Sequence, residues 1–104
     1  MQLWKKRQEN HKTDLMRQRI VFFGWVQGVG FRWRAVQAAS RFGATGWVRN
    51  DPSGSVTMEL QGTQDEIDNV ILAIRQSPYI SIDRMEVETI PLKEGEQGFQ
   101  PLLL

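Results

Sequence analysis

A chain of 104 residues, 40% of them hydrophobic, has room for one core and not for a cofactor domain joined to a substrate domain. Without a cysteine it can form no disulfide, no thiol nucleophile and no thiolate metal site, and no stretch is apolar for long enough to span a membrane. The net charge of +1 is uneven, with +3 in residues 1–18 and −2 in the remainder; a mildly acidic body is a poor general binder of polyanions, so any anion site in it must be local and fitted to a small ligand.

Residues 1–18 lack sustained apolar periodicity and have no apolar run after their charges. They are neither a secretory signal nor a core element, and are expected to form a basic extension, frayed or weakly helical, ahead of a domain spanning 19–104. The cytoplasm is the default location. Arg19 to Val26 is β-branched and aromatic and predicts a strand, which Gln27 to Gly30 breaks. Phe31 to Phe42 sets Ala35, Ala39 and Phe42 at helical spacing, and Gly43 ends that helix. Thr45 to Asn50 is a short second strand, and Asp51-Pro52-Ser53-Gly54 is a turn. Ser55 to Gln61 alternates Val56, Met58 and Leu60 with Thr57, Glu59 and Gln61, a strand with one buried and one wet face, hairpinned to the one before it.

Thr63 and Glu66 form a capping box, and Ile67, Val70, Ile71 and Ile74 make the second helix amphipathic until Ser77-Pro78. Ser81 to Ile90 sets Met85 and Val87 against Arg84, Glu86 and Glu88 as a fourth strand. Gly98-Phe99-Gln100 offers a short edge strand that Pro101 should cut off. The order β-α-β-β-α-β predicts an α+β, ferredoxin-like split βαβ sandwich, an antiparallel sheet with two helices on one face.

In that topology a right-handed crossover makes the first and second strands parallel, with the third between them. Their far ends open at one sheet edge, about 10 Å apart. Arg32 follows the end of one and Asn50 lies at the end of the other, so both could meet a single small ligand. The loop Gln27-Gly28-Val29-Gly30-Phe31-Arg32 can turn successive backbone N–H groups inward at a helix start, which cradles an anion, and Arg32 adds a fork matched to phosphate oxygens. Residues alone leave alternatives open. The glycines also fit a plain strand-to-helix turn, Arg32 a solvated first-turn arginine and Asn50 an ordinary turn residue. Trp33 replaces the third glycine of a dinucleotide fingerprint, and the Gly-Lys-Ser/Thr of a nucleotide P-loop is missing.

Gly24-Trp25-Val26-Gln27-Gly28-Val29-Gly30-Phe31-Arg32 resembles the signature of the acylphosphatases, Gly-x-Val-Gln-Gly-Val-Gly-Phe-Arg, and Gly46-Trp47-Val48-Arg49-Asn50 resembles their second signature, Gly-x-Val-x-Asn. The spacing between the two is also similar, as are Val56 to Gly62 and Ser81 to Arg84, so the resemblance covers about residues 19–100. It implies a ferredoxin-like fold, hydrolysis of carboxyl-phosphate anhydrides, Arg32 as phosphate ligand and Asn50 as water ligand. Arg34 departs from the uncharged residue usual at that place and is expected in solvent.

The implied chemistry needs little. A carboxylate leaves as a stable anion and requires no general acid, because its conjugate acid has a pKa of about 4. The loose transition state asks for fixed donors around three phosphoryl oxygens, and for an oriented water more than a deprotonated one. Cofactors and metals are not called for, and no cluster has metal-ligand spacing. The expected partners are a small acyl phosphate and inorganic phosphate or similar anions as product or inhibitor. A membrane partner is not expected, and the chain should be monomeric. RNA-recognition domains share this fold, but they display aromatics on their central strands, whereas Thr57, Glu59 and Gln61 are expected on the wet face here; a nucleic-acid partner is therefore not expected. An inactive anion-binding domain would keep the cradle without turnover. His11 is expected in solvent, and Trp25, Trp33 and Trp47 at the core or its rim.

Overall fold

Seven elements follow one another along residues 14–103, the part of the chain that the computed structural model describes. They are β1 (Met16–Trp25), α1 (Phe31–Phe42), β2 (Thr45–Asn50), β3 (Val56–Gly62), α2 (Gln64–Arg75), β4 (Ser81–Ile90) and β5 (Phe99–Leu102). The sheet order is β4-β1-β3-β2-β5. β1 lies antiparallel to β3 and β4, and β2 lies antiparallel to β3, which makes β1 and β2 parallel as the crossover requires. The expected antiparallel sheet is mixed at one edge, because β5 runs parallel to β2.

Pro101 does not end β5. The Gly98 carbonyl accepts from Gly46 N–H at 3.1 Å, and the two-residue alternation then aims the backbone groups of 98, 100 and 102 at β2. Pro101 falls on the outer side of the edge strand, where its missing N–H costs no ladder bond.

Alternation and helical period together define the core. Ile20 and Phe22 from β1, Val48 from β2 and Val56, Met58 and Leu60 from β3 are fully buried with Ala35 and Ala39 of α1 and Ile67, Val70 and Ile74 of α2. Alanines on α1 let its backbone approach the sheet and α2 closely. The Thr63–Glu66 capping box is formed reciprocally, at 2.8 and 3.2 Å, and fixes the start of α2. Val87 pairs with Ile20 on the core face but is half exposed at the sheet edge.

The opposite sheet face differs from expectation. Thr57 and Glu59 are buried, and so is Arg17, because β1 begins at Met16, three residues ahead of the expected boundary at 19. Arg17 and Arg19 both lie against Glu59, at 3.0 and 2.7 Å. Glu96, from the segment before β5, closes on Arg17 at 2.7 Å. Each charge satisfies the next, so long polar side chains cover the sheet as an apolar layer would. Of the expected extension, residues 1–13, including His11, lie outside the described residues.

Candidate active site

The chain leaves β1 through buried Val26 and turns at Gly28 and Gly30, with φ 74° and 79°. A Cβ on either would meet no atom within 4 Å, so glycine is demanded there by the backbone angle and not by lack of room. Gly30 is the N-cap of α1, with no side-chain cap and no acidic residue in the first turn. The leading N–H groups of α1 thus have no side-chain cap, at the positive end of the helix. Phe31 is buried against Phe22, ring centroids 4.8 Å apart, which locks the helix start onto the core.

A cavity of about 200 Å³ opens at this point. Gly28, Gly30, Phe31 and Arg32 line one side, Asn50 another, and Val26 and Trp33 complete the wall. The two residues proposed from the strand ends therefore do meet on one space. Gln27 and Val29 are not among the residues lining it. Val29 packs against the core. The Gln27 side chain instead donates from Nε2 to the carbonyls of Asp51 and Ser55, at 2.7 and 2.8 Å, tying the loop to the β2–β3 turn.

That turn has an organiser which sequence reasoning treated only as a turn residue. Asp51 Oδ2 accepts from Ser55 Oγ at 2.8 Å and from Thr57 Oγ1 at 2.7 Å, while Oδ1 accepts from Arg49 Nε at 3.1 Å. Burial pushes the Asp51 carboxyl up, but the Thr57, Ser55 and Arg49 donors outweigh it and hold the group below the usual carboxylate range. Its backbone closes the turn as well, with Asp51 N–H to Ser55 O at 2.9 Å and Gly54 N–H to Asp51 O at 3.1 Å. Asn50, next in the chain, is held on one side by this turn and on the other by pairing with Val56. A legible signal existed: an aspartate opening the turn, with hydroxyls four and six residues later on one strand face.

Two further expectations change. Arg34 is not free in solvent; it is half-buried, and its Nε donates to the Ala73 carbonyl of α2 at 2.9 Å. Trp25 and Trp33 stand 72% and 67% exposed, outside the core. Among the described residues no three His, Asp or Glu side chains converge as a metal site, and no helix is long and apolar enough to cross a membrane.

Residues 18–101 match the acylphosphatase family model. An acylphosphatase of Bifidobacterium longum is 39% identical over 81 residues, covering 77% of this chain and 84% of that protein. One from a Nostoc species is 34% identical over 89 residues, covering 86% and 88%. The crystal structure of acylphosphatase from Bacillus subtilis superimposes with a TM-score of 0.77 at 28% identity, over 85% of this chain and 99% of that one. The matched span runs from β1 into β5 and contains both walls of the cavity, so the chain belongs to the acylphosphatase family, hydrolases of acyl phosphates.

Proposed function

We propose that the cavity holds the phosphoryl group of a small acyl phosphate and that a water oriented by Asn50 attacks phosphorus there. The observation that carries this reading is the convergence of Arg32 and Asn50, from the ends of two different strands, on one cavity beside an uncapped helix start. The loop and α1 N–H groups and the Arg32 guanidinium surround the three non-bridging oxygens. Water oxygen forms a bond to phosphorus as the bond to the acyl oxygen breaks, and the carboxylate leaves with that electron pair. One water proton stays with the new phosphate; the other passes to a phosphoryl oxygen or to solvent. Asn50 supplies orientation through its amide and never titrates. Gln27 acts in this reading as the brace between cradle and turn. Inorganic phosphate is a competitive inhibitor, and the protein works as a cytoplasmic monomer without a metal or cofactor.

The test compares acetyl phosphate with methyl phosphate on one preparation, with and without a chelator. Methyl phosphate must expel methoxide, a poor leaving group that needs a proton donor or a metal, which Arg32, Asn50 and the backbone do not provide. Acetyl phosphate should be cleaved far faster, and chelation should leave its rate unchanged. Comparable rates, or a chelator-sensitive rate restored by one divalent ion, would overturn the reading.

A further inference from the structure

The cradle accounts for a phosphoryl group and leaves the acyl group to the space outside it. We infer that this space is the groove between α1 and α2, and that it selects acyl phosphates whose carbon chain ends in a second anionic group. The inference rests on the acyl phosphate reading of the cradle.

The groove encloses about 350 Å³ and is lined by Trp33, Arg34, Gln37, Ala38, Arg41 and Ala73. Trp33 lines both the groove and the cradle, so its exposed indole is the wall they share. Arg34 and Arg41 are seven residues apart on α1, and therefore on one helix face. The Nε bond to Ala73 fixes the Arg34 guanidinium over the groove, and among the described residues its terminal nitrogens have no partner. Arg41 stacks on the Phe42 ring at 5.2 Å and forms no ion pair among the described residues. No carboxylate lines the groove. Two guanidiniums, one of them immobilised, thus face a floor of alanine methyls without a compensating acid. That combination recognises a carboxylate or a similar planar anion at the end of a short apolar chain.

Position agrees with the chemistry. In-line displacement sends the leaving group away from the attacking water. Asn50 stands on the sheet side of the cradle and the groove lies on the helix side. Arg34 lies about 3 Å beyond Arg32 along the α1 axis but about 200° around it, so the path from cradle to groove runs past Trp33 between them; Arg41 lies about 14 Å beyond Arg32 along the axis. A short dicarboxylic chain therefore meets Arg34 first.

The experiment measures kcat/KM for acetyl phosphate and for succinyl phosphate at physiological ionic strength, on the full chain and on R34Q, R41Q and the double variant. Wild type should prefer succinyl phosphate by about tenfold. R34Q should lose about five- to tenfold on succinyl phosphate, mainly through KM, and the double variant should lose the preference. Acetyl phosphate should change by no more than about twofold in any variant, since screening weakens action beyond the groove. R41Q alone, about 11 Å farther along α1, should change succinyl phosphate by no more than about twofold, and R34K, which keeps the charge while giving up the guanidinium bond to Ala73, should retain most of the preference, so that a lost charge is told apart from a loosened α1–α2 contact. A wild type without the preference, or equal losses on both substrates, overturns the subsite while leaving the cradle intact. Folded wild type that cleaves neither substrate overturns the acyl phosphate reading and the subsite with it.

Discussion

Replacing Asp51 by alanine should destabilise the domain by about 2–4 kcal/mol, and replacing it by asparagine should cost much less. The difference lies in which oxygen does what. Oδ2 alone accepts both hydroxyls, Ser55 at 2.8 Å and Thr57 at 2.7 Å, while Oδ1 serves Arg49. Ser55 and Thr57 are 7% and 5% exposed, so alanine strands the Thr57 donor, at about 1–3 kcal/mol, and leaves Ser55 only the Ser53 hydroxyl at 3.1 Å, a further loss of about 1 kcal/mol. The Arg49 side chain is 39% exposed and can turn to water, which makes its share small. In Asp51→Asn the carbonyl oxygen can take the place of Oδ2 and accept both hydroxyls, with the amide nitrogen toward a mobile arginine. For a domain of this size the alanine variant should melt roughly 10–25 °C lower. Turnover should fall too, by about a hundredfold if Asn50 shifts by an ångström, since Gln27 couples the same turn to the cradle loop.

Urea melts of the three proteins, with kcat for acetyl phosphate, make the assay, and pH adds a sign. The folded-state pKa of Asp51 lies below its unfolded value, so its contribution is complete above that unfolded value, about 3.9, and is lost as pH falls through the folded one. The stability gap between wild type and Asp51→Asn should be flat above about pH 5 and shrink in stronger acid. An alanine variant within about 0.5 kcal/mol of wild type refutes the reasoning. So does an asparagine variant as unstable as alanine, or a gap that widens in acid.

Asn50→Ala should leave phosphate affinity nearly unchanged while kcat collapses; a parallel fall of both in a folded protein, read by phosphate inhibition and initial rates, contradicts a water-orienting role. Arg32→Ala should lose both binding and turnover, by about a hundred- to a thousandfold in rate, and Arg32→Lys should recover little because a point charge lacks the fork; near-normal lysine kinetics would mean the fork is unused. Gly30→Ala should fold, since its Cβ meets open space, but should cost about 1–2 kcal/mol for φ 79° and weaken phosphate binding, both measurable by calorimetry. Glu96→Gln removes a charged acceptor from the buried Arg17 and should cost about 1–3 kcal/mol at neutral pH. Burial raises the Glu96 carboxyl, but Arg17 and Thr45 hold it below the usual range, so this cost should fade as pH falls below about 4.

What could be read from sequence divides along a physical line. Periodicity reports burial against a common core, so Val56, Met58 and Leu60, or Ile67, Val70 and Ile74, announce their elements without knowledge of any partner. Chain connectivity then does the rest for Arg32 and Asn50: once two strands are parallel with one between them, residues at their far ends must share an edge. Arg17, Glu59 and Glu96 obey no such rule. A buried ion pair leaves no periodic trace, because each residue alone reads as solvated; only the register that sets Arg19 opposite Glu59 and Arg17 opposite Gln61 turns a wet face into a sealed one. Arg34 escaped for a related reason. A helix N-terminal arginine counts as solvent-exposed until a second helix, α2, brings the Ala73 carbonyl within reach of it. The residues that local pattern hides are therefore those whose partners come from elsewhere in the chain. Asp51 lies between the two groups, its partners four and six residues away across a hairpin that the sequence already predicted. Pairing polar side chains across predicted hairpins, after the apolar pattern has fixed the register, would have found Asp51; Arg17 needed the tail and Arg34 the second helix.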